Sequence, residues 1–399
     1  MLDRRDLPEP PQADTPAHAT AASSATTTET ATPDQELGPA TATTETAMPD
    51  QGLGTTASRV DMAAPDHTLG PAGSELIWRR VRWALVVAYG VGYVWWFFRN
   101  GIIIDRISVL LSVTLFMIVA NVGKPWHDWA RMARDAAIFV AMWLAYDESR
   151  GIADRLGFPI QVESVRNIDR FLFLGTDPVV WLQAHFYEGA DSIRWYDVVG
   201  SIVYYSHFIV PPVTIAILYI VNRRQWVRYM QRFGTVLFIA CVMFILLPTA
   251  PPWMAAGGKN RVGLDLDILP PLRRPTGNGW RHIGMDAFVK AWDTGRDWAN
   301  QVAAMPSLHS AFAMFIVVFF FRWVTDWRIR AVMLLYPLTM AVALMYFAEH
   351  YLIDAIIGWA VVGFSFFIWN RIERRGWSLA VPPTDFTPSE IALDQSSPA

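Results

Sequence analysis

The sequence predicts an all-α fold: a polytopic integral membrane bundle of about eight transmembrane helices behind a disordered N-terminal tail. Three observations carry that prediction. Apolar side chains make up 53% of the 399 residues and charged ones only 17%, against roughly 25% charged in a typical soluble domain. Mean hydropathy is positive, and so much apolar surface has too little charge to cover it in water. From Arg79 onward apolar runs follow one another, several near the ~20 residues that a membrane-spanning helix needs. Basic residues stand at every second exit of those runs, the asymmetry that orients membrane helices. The same composition excludes other classes. The chain has 33 Lys and Arg against 36 Asp and Glu, which leaves no basic excess for electrostatic nucleic-acid binding. A single cysteine, Cys241, excludes an intrachain disulfide and a Cys-rich zinc site. Among Phe, Ile and Met neighbours it reads as packing.

Taken in order, residues 1–73 are rich in Ala, Thr and Pro and poor in large apolar side chains. They bury too little to offset the entropy of ordering, so disorder is expected. Pro33-Asp34-Gln35-Glu36-Leu37-Gly38 recurs at Pro49 to Gly54 and at Pro65 to Gly70, 16 residues apart each time. Each Pro-Asp start and Gly end reads as a turn. The unit is too small and polar for a solenoid, and suits an inert tether better than a binding array. Met1–Pro10 holds no apolar run, so no signal peptide is expected. A transmembrane catalytic domain follows over 76–375, and a polar tail, 376–399, closes the chain.

The eight runs are roughly 82–98, 106–122, 134–147, 198–221, 233–248, 309–323, 330–348 and 351–370; the third is the shortest. Arg79, Arg80 and Arg82 precede the first. Lys124, Arg131 and Arg134 follow the second, and Arg223, Arg224, Arg228 and Arg232 the fourth. Arg322, Arg328 and Arg330 follow the sixth, and Arg371, Arg374 and Arg375 the last. Both termini are then cytoplasmic, a pattern that seven helices would break. Trp95, Trp96, Trp253 and Trp323 lie at run ends and suit an interfacial belt. Two long segments, 149–197 and 249–308, fall outside. The first carries Phe171-Leu172-Phe173-Leu174 and Trp181-Leu182 among charges. It fits an amphipathic stretch on the outer interface or a lid packed on the bundle. The second holds Pro251-Pro252-Trp253 and many Gly and Pro, as a structured loop near the headgroups does.

Polar residues at membrane helices are functional candidates by default, because burying them is costly. The eighth run begins Glu349-His350-Tyr351-Leu352-Ile353-Asp354. His350 and Asp354 are four apart and share a helical face. A carboxylate on one imidazole N–H makes the other nitrogen a better nucleophile or base. The sixth run is preceded by Ala304-Met305-Pro306-Ser307-Leu308-His309-Ser310. Pro306 suits the first helical position. The free N–H groups after it, with the Ser307 hydroxyl, would form an anion site, and His309 would sit one turn in. Charge counting places both motifs at outer helix ends, at the same depth. Two histidines, an aspartate and a helix N-terminus aimed at one spot suit phosphoryl transfer; two unrelated polar caps are the plain alternative. His309, His350 and Asp354 are also ligands that zinc accepts, but no local His-x-x-x-His spacing supports a metal. His207, in Tyr204-Tyr205-Ser206-His207-Phe208, reads as a substrate contact or an interhelical packing residue.

These residues resemble the second and third motifs of the type 2 phosphatidic acid phosphatase superfamily. The likeness is closer to its inositol phosphorylceramide synthase branch, where the second motif reads Met-Pro-Ser-Leu-His and the third His-Tyr followed by Asp. Leu247-Pro248-Thr249-Ala250-Pro251-Pro252-Trp253 looks like that branch's replacement for the first motif, with Trp253 at the substrate. The likeness covers roughly 198–370. It implies that His350 attacks a lipid-linked phosphate to form a phosphohistidine, that Asp354 orients it, and that His309 protonates the leaving alcohol. His309 would then deprotonate an acceptor, either water or a hydroxyl. The resemblance implies no metal and no cofactor. In the phosphatases an Arg stands six residues before the nucleophile; here Leu344 does. Their first motif supplies Lys and a later Arg-Pro; the loop here offers Lys259, Arg261, Arg273-Arg274-Pro275 and Arg281. Arg273 or Arg274 is the expected phosphate cation, with headgroup contacts as the plain reading. The expected function is a membrane-embedded phosphotransferase. It would move a phosphoryl or phospho-headgroup, phosphoinositol among the candidates, from a phospholipid or lipid-linked donor to a polar hydroxyl or water. The alternatives are a lipid phosphate or polyprenyl pyrophosphate phosphatase, and a non-catalytic lipid-binding or transport protein. The active site is expected on the extracytoplasmic side of the cell membrane.

Overall fold

The computed structural model describes residues 71–103, 105–153, 156–260, 262–296 and 301–376. The 16-residue repeat, Arg261 and the polar C-terminal tail from residue 377 onward lie outside the described residues. Among the described residues the chain is helical, with only isolated bridges Gln161–Thr249 and Thr249–Ala303 of extended type.

All eight apolar runs fold as helix. The first three are α1 (Pro71–Asn100), α2 (Arg106–Asn121) and α3 (Trp126–Ala153). The long segment after them forms α4 (Glu163–Leu172) and α5 (Pro178–Phe186). The fourth run is two helices, α6 (Trp195–Ser206) and α7 (Val210–Val221), bent by 45°. The break has a covalent cause: Pro211 and Pro212 open α7, and without N–H groups they cannot continue the ladder of α6. Next come α8 (Arg223–Leu246) and the short α9 (Pro252–Ala255), α10 (Asn278–His282) and α11 (Asp286–Arg296). The last three are α12 (Leu308–Phe320), α13 (Trp327–Tyr346) and α14 (Leu352–Arg374).

By length and composition, α1, α8, α13 and α14 can each cross a membrane, and the bent α6–α7 pair would be a fifth span. That is fewer than the eight expected. The helices α2 and α12 are apolar but short, and α3 is long but carries Arg131, Arg134 and Asp135 near its start.

In α12, Leu308 is the first helical residue and Ser307 the N-cap, its side chain accepting from Ser310 N–H. Pro306 is therefore not the first helical residue, as its chemistry suggested. The Ser307 hydroxyl provides the cap instead.

The helices α8 and α14 pack antiparallel. Arg232 of α8 donates to Glu373 at 3.0 Å and to Asn370 at 2.7 Å near the end of α14. Ser365 Oγ donates to the Arg232 carbonyl and Trp369 Nε1 to Thr235 Oγ1. Tyr229, Phe233, Phe312, Phe315 and Phe319 interleave between α8 and α12. Such pairs contribute about 0.5–1.5 kcal/mol each beyond area burial. In lipid, close packing rather than water exclusion holds helices together. The basic exits gather at one end: Arg82 donates to the Val122 carbonyl and Arg322 to Gln225. The start of α14 is at the other end, 23 residues or about 35 Å of helix away.

Gly358 makes the closest α12–α14 approach. A Cβ there would meet the Ser307 carbonyl oxygen at 2.8 Å and Ala311 Cβ at 3.3 Å, whereas at Gly363 it would meet nothing within 4 Å. Gly358→Ala should therefore destabilise the detergent-solubilised protein by about 1–3 kcal/mol, read by thermal unfolding. Gly363→Ala should be neutral or slightly stabilising.

Candidate active site

The third motif is placed by how α13 ends. Phe347 is its C-cap. Ala348 N–H donates to the Met345 carbonyl and Glu349 N–H to the Leu344 carbonyl. These two bonds form a Schellman ending. Ala348 takes the left-handed position at φ 56°, which costs an alanine about 1–2 kcal/mol. The turn delivers Glu349 and His350 against the start of α14, where Tyr351 is the N-cap.

Asp354, the third residue of α14, is fully buried. Its Oδ2 accepts Tyr351 N–H at 3.0 Å and lies 3.3 Å from His350 Nδ1. The carboxylate thus holds the imidazole from the Nδ1 side and leaves Nε2 as the nitrogen it does not engage.

The second motif meets the third through main-chain bonds. Ser307 N–H donates to the Asp354 carbonyl at 2.9 Å. His309, second in α12, then lies with its ring centroid 5.7 Å from that of His350. Its ring stacks on Tyr204 at 4.7 Å and sits 4.1 Å from His207, which stacks in turn on Phe312 at 5.1 Å. The column Tyr204–His309–His207–Phe312 fixes the plane of the His309 imidazole. Among the described residues, His309 Nε2 and His207 Nδ1 are both buried without a hydrogen-bond partner. The α6–α7 bend is what brings His207 here.

The first-motif segment joins the same end. Thr249 N–H donates to the Val302 carbonyl, Ala304 N–H to the Thr249 carbonyl, and Trp253 N–H to the Ala348 carbonyl. Arg274 makes a bidentate pair with Glu349, Nε–Oε1 2.9 Å and Nη2–Oε2 2.7 Å, and its guanidinium lies 4.3 Å over the Trp253 ring. Arg273 is exposed. Its main chain is gripped by Gln183, which donates to its carbonyl at 2.8 Å and accepts its N–H at 2.9 Å.

All the expected residues therefore occupy one end of the bundle. Seven of the eight join by direct contacts: His350, His309, Asp354, Ser307, Trp253, Arg274 and His207. Arg273 stands at the edge. Leu344, six residues before His350, is 1% exposed and provides packing where the phosphatases have a cation.

Two carboxylates at this end escaped the sequence reading. Glu349, next to His350 in the chain, holds Arg274. Asp169, on α4, is fully buried and accepts Leu352 N–H at 2.7 Å and Ile353 N–H at 2.9 Å. It satisfies two of the orphan donors at the start of α14, from 183 residues away. No local pattern signals a cap donated from another helix. The two readings of this segment also meet here. Through Asp169 and Val165 the helix α4 packs on the bundle, while Phe171 and Leu174 remain 81% and 97% exposed at its tip.

The chain matches the family described as the PAP2 superfamily over residues 164–368. It is 26% identical over 280 residues to a phosphoinositol dihydroceramide synthase of Bacteroides thetaiotaomicron, covering 68% of this chain and 87% of that protein. No solved structure matches.

Burial, with the nearby Asp354 and Asp177 charges adding to it, pushes the Asp169 carboxyl up to about 6 against the two N–H bonds. A folded value above the ordinary 3.8 means that the folded state binds the proton more tightly. The stability this group contributes is full below about 3.8 and is lost as pH rises through about 6. Melting temperature should therefore climb between pH 7 and pH 5 in wild type, and that increment should vanish in Asp169→Asn. Asp169→Ala should cost about 1–3 kcal/mol at neutral pH by stranding both N–H groups.

Proposed function

The chain belongs to the PAP2 superfamily and is a membrane-embedded enzyme of lipid phosphate chemistry, and on that premise we propose that it transfers a phosphoinositol headgroup from a phospholipid to a lipid hydroxyl. The observation that carries this reading is the pairing of His350 Nδ1 with buried Asp354 while the His309 ring lies 5.7 Å away. Two imidazoles at that spacing can straddle one phosphorus, with reacting atoms about 3 Å apart on each side. The synthase from Bacteroides supplies the headgroup and the acceptor class: its name attaches phosphoinositol to a ceramide-type lipid.

In the first step His350 Nε2 attacks the donor phosphorus. The bond from phosphorus to the donor's lipid oxygen breaks, and His309 delivers its proton to that oxygen, releasing a neutral alcohol. Phosphoinositol remains on His350 through a P–N bond. In the second step the acceptor hydroxyl gives its proton to His309 and its oxygen attacks phosphorus. The P–N bond breaks and His350 is free again. Asp354 holds Nδ1–H and balances the positive ring in both steps. Arg274 is the phosphate cation, releasing Glu349 as substrate arrives, because a guanidinium fork pairs a phosphate in the same bidentate way as a carboxylate. Trp253 keeps that guanidinium in place, and Arg273 meets the headgroup rim. Leu344 in place of a phosphatase arginine favours transfer over hydrolysis.

The first test is lipid turnover by mass spectrometry, with phosphatidylinositol as donor and a dihydroceramide as acceptor. Wild type should form the phosphoinositol conjugate, and His350→Ala should lower the rate at least about a thousandfold. Turnover that persists in His350→Ala would sink the mechanism, and release of free inositol phosphate without conjugate would mean hydrolysis.

The site lies at the end of the bundle away from the basic exits, and we place it on the extracytoplasmic side with both termini inside. Lys259, at the site end, and Thr325, between α12 and α13 at the basic end, are both exposed. In a Cys241→Ala background of intact cells, Lys259→Cys should react with an impermeant thiol reagent and Thr325→Cys should not. The reverse pattern would put the site in the cytoplasm.

A further inference from the structure

The end of the bundle opposite His350 holds a second convergence of charge. Lys124 lies in the turn between α2 and α3. It donates to Asn121 Oδ1 at 3.1 Å, and its ammonium is 5.9 Å over the Tyr219 ring. Arg223, the first residue of α8, lies 5.8 Å from the same ring and 4.3 Å over Trp226. Asn121 Nδ2 donates to the Tyr219 hydroxyl at 2.8 Å, so the end of α2 and the end of α7 are tied at that ring. Arg82 of α1 reaches the same turn, donating to the Val122 carbonyl at 3.0 Å. The turn packs closely against α1: Gly123 takes φ +72°, and a Cβ there would strike Trp78 at 2.7 Å.

The charges at this junction do not cancel. Arg131 pairs with Asp128 at 2.8 Å and Arg223 with Asp135 at 2.6 Å. Among the described residues no carboxylate lies within ion-pair distance of Lys124 or Arg82, and both are half-buried. Burial pushes the Lys124 ammonium below its ordinary value, and the positive charges of Arg82, Arg223 and Arg131 push it further against Asp128. Lys124 and Arg82, from the α2–α3 turn and α1, thus stand beside the cations of α3 and α8 without an ion-paired carboxylate of their own among the described residues. An anion with several acceptor oxygens would relieve the repulsion. A phosphate does so best, because guanidinium and ammonium groups together match its tetrahedral oxygens. Basic pockets between membrane helices are also where anionic headgroups settle.

We infer that this junction of Arg82, Lys124, Arg131 and Arg223 is a second phosphate-binding site, separate from the catalytic one. Its ligand is a phosphate-bearing anion, either an anionic lipid headgroup or free phosphate. The site is independent of the role given to His350. It also gives the enzyme a way to sense or hold the lipid of the leaflet that its active site does not face.

Native mass spectrometry of the full chain in detergent tests it, with phosphatidylglycerol and phosphatidylcholine as probes and inorganic phosphate as competitor. Wild type should retain phosphatidylglycerol in preference to phosphatidylcholine. Removing one positive charge near the surface should weaken binding about fivefold, so Lys124→Gln with Arg82→Gln should weaken it about 25-fold. Asp128→Asn, which removes an opposing carboxylate, should tighten it about fivefold, an effect that misfolding cannot mimic. Displacement by millimolar inorganic phosphate would make free phosphate a ligand; retention against it would make the lipid headgroup the ligand. Either fits the site. Equal retention of the two lipids together with no phosphate binding would overturn it, as would affinities unchanged in both the double variant and Asp128→Asn.

Discussion

One hydrogen bond organises the catalytic end: Ser307 N–H to the carbonyl of Asp354. It joins the N-cap of α12 to the third residue of α14, so the starts of the two helices are held level. Each helix start carries part of the proposed chemistry, His309 on one and the His350–Asp354 pair at the other. The bond requires the helices to come closer than a side chain would allow, and Gly358 permits it. Neighbouring main-chain bonds, Trp253 to Ala348 and Thr249 to Val302, tie the remaining segment to the same point. The geometry of the site is therefore held mostly by backbone. Side chains there are left to face one another or to stack, as His309 does between Tyr204 and His207.

The polar groups sit where a membrane protein can tolerate them. A helix start exposes N–H groups that need acceptors, and here carboxylates answer them. Asp354 takes Tyr351 N–H, and Asp169 takes those of Leu352 and Ile353. Both carboxylates are fully buried, which is costly unless hydrogen bonds offset it; both Asp169 oxygens and Asp354 Oδ2 accept such bonds. The same arrangement makes the support of the His350–Asp354 pair depend on α4, a helix that does not meet the length and composition of a membrane span. The opposite end follows a different rule. Its cations pair with carboxylates only in part and lean on aromatic faces, Tyr219 and Trp226.

Much of this was legible in the sequence because the signals are local. Apolar runs became helices and the basic exits did gather at one end; His350 and Asp354 did meet, but His350 stands before the N-cap Tyr351, so the turn ahead of α14 and not a shared helical face brings them together. Readings that needed geometry fared differently. Pro306 looked like a first helical residue, but the Ser307 side chain competes for that end and wins it by capping. The run 198–221 looked continuous, and the proline pair divides it. Arg273 and Arg274 were indistinguishable as neighbours in a loop, yet one stacks on Trp253 against Glu349 and the other is exposed. Asp169 gave no sign, since its partners are 183 residues away.

What the sequence determined by itself was chemistry and periodicity: a helical membrane protein, a histidine pair with an aspartate, and the family they resemble. Those properties depend on residue type and spacing within one or two turns, and a helix reports such spacing faithfully. The tertiary structure alone decided which groups meet. Whether Arg274 or Arg273 faces the site, whether His207 touches His309, and which carboxylate caps α14 all depend on where separate helices cross. Crossing positions are fixed by close contacts such as that of Gly358 with Ser307 and by bonds between distant main-chain groups. No stretch of sequence encodes those one residue at a time.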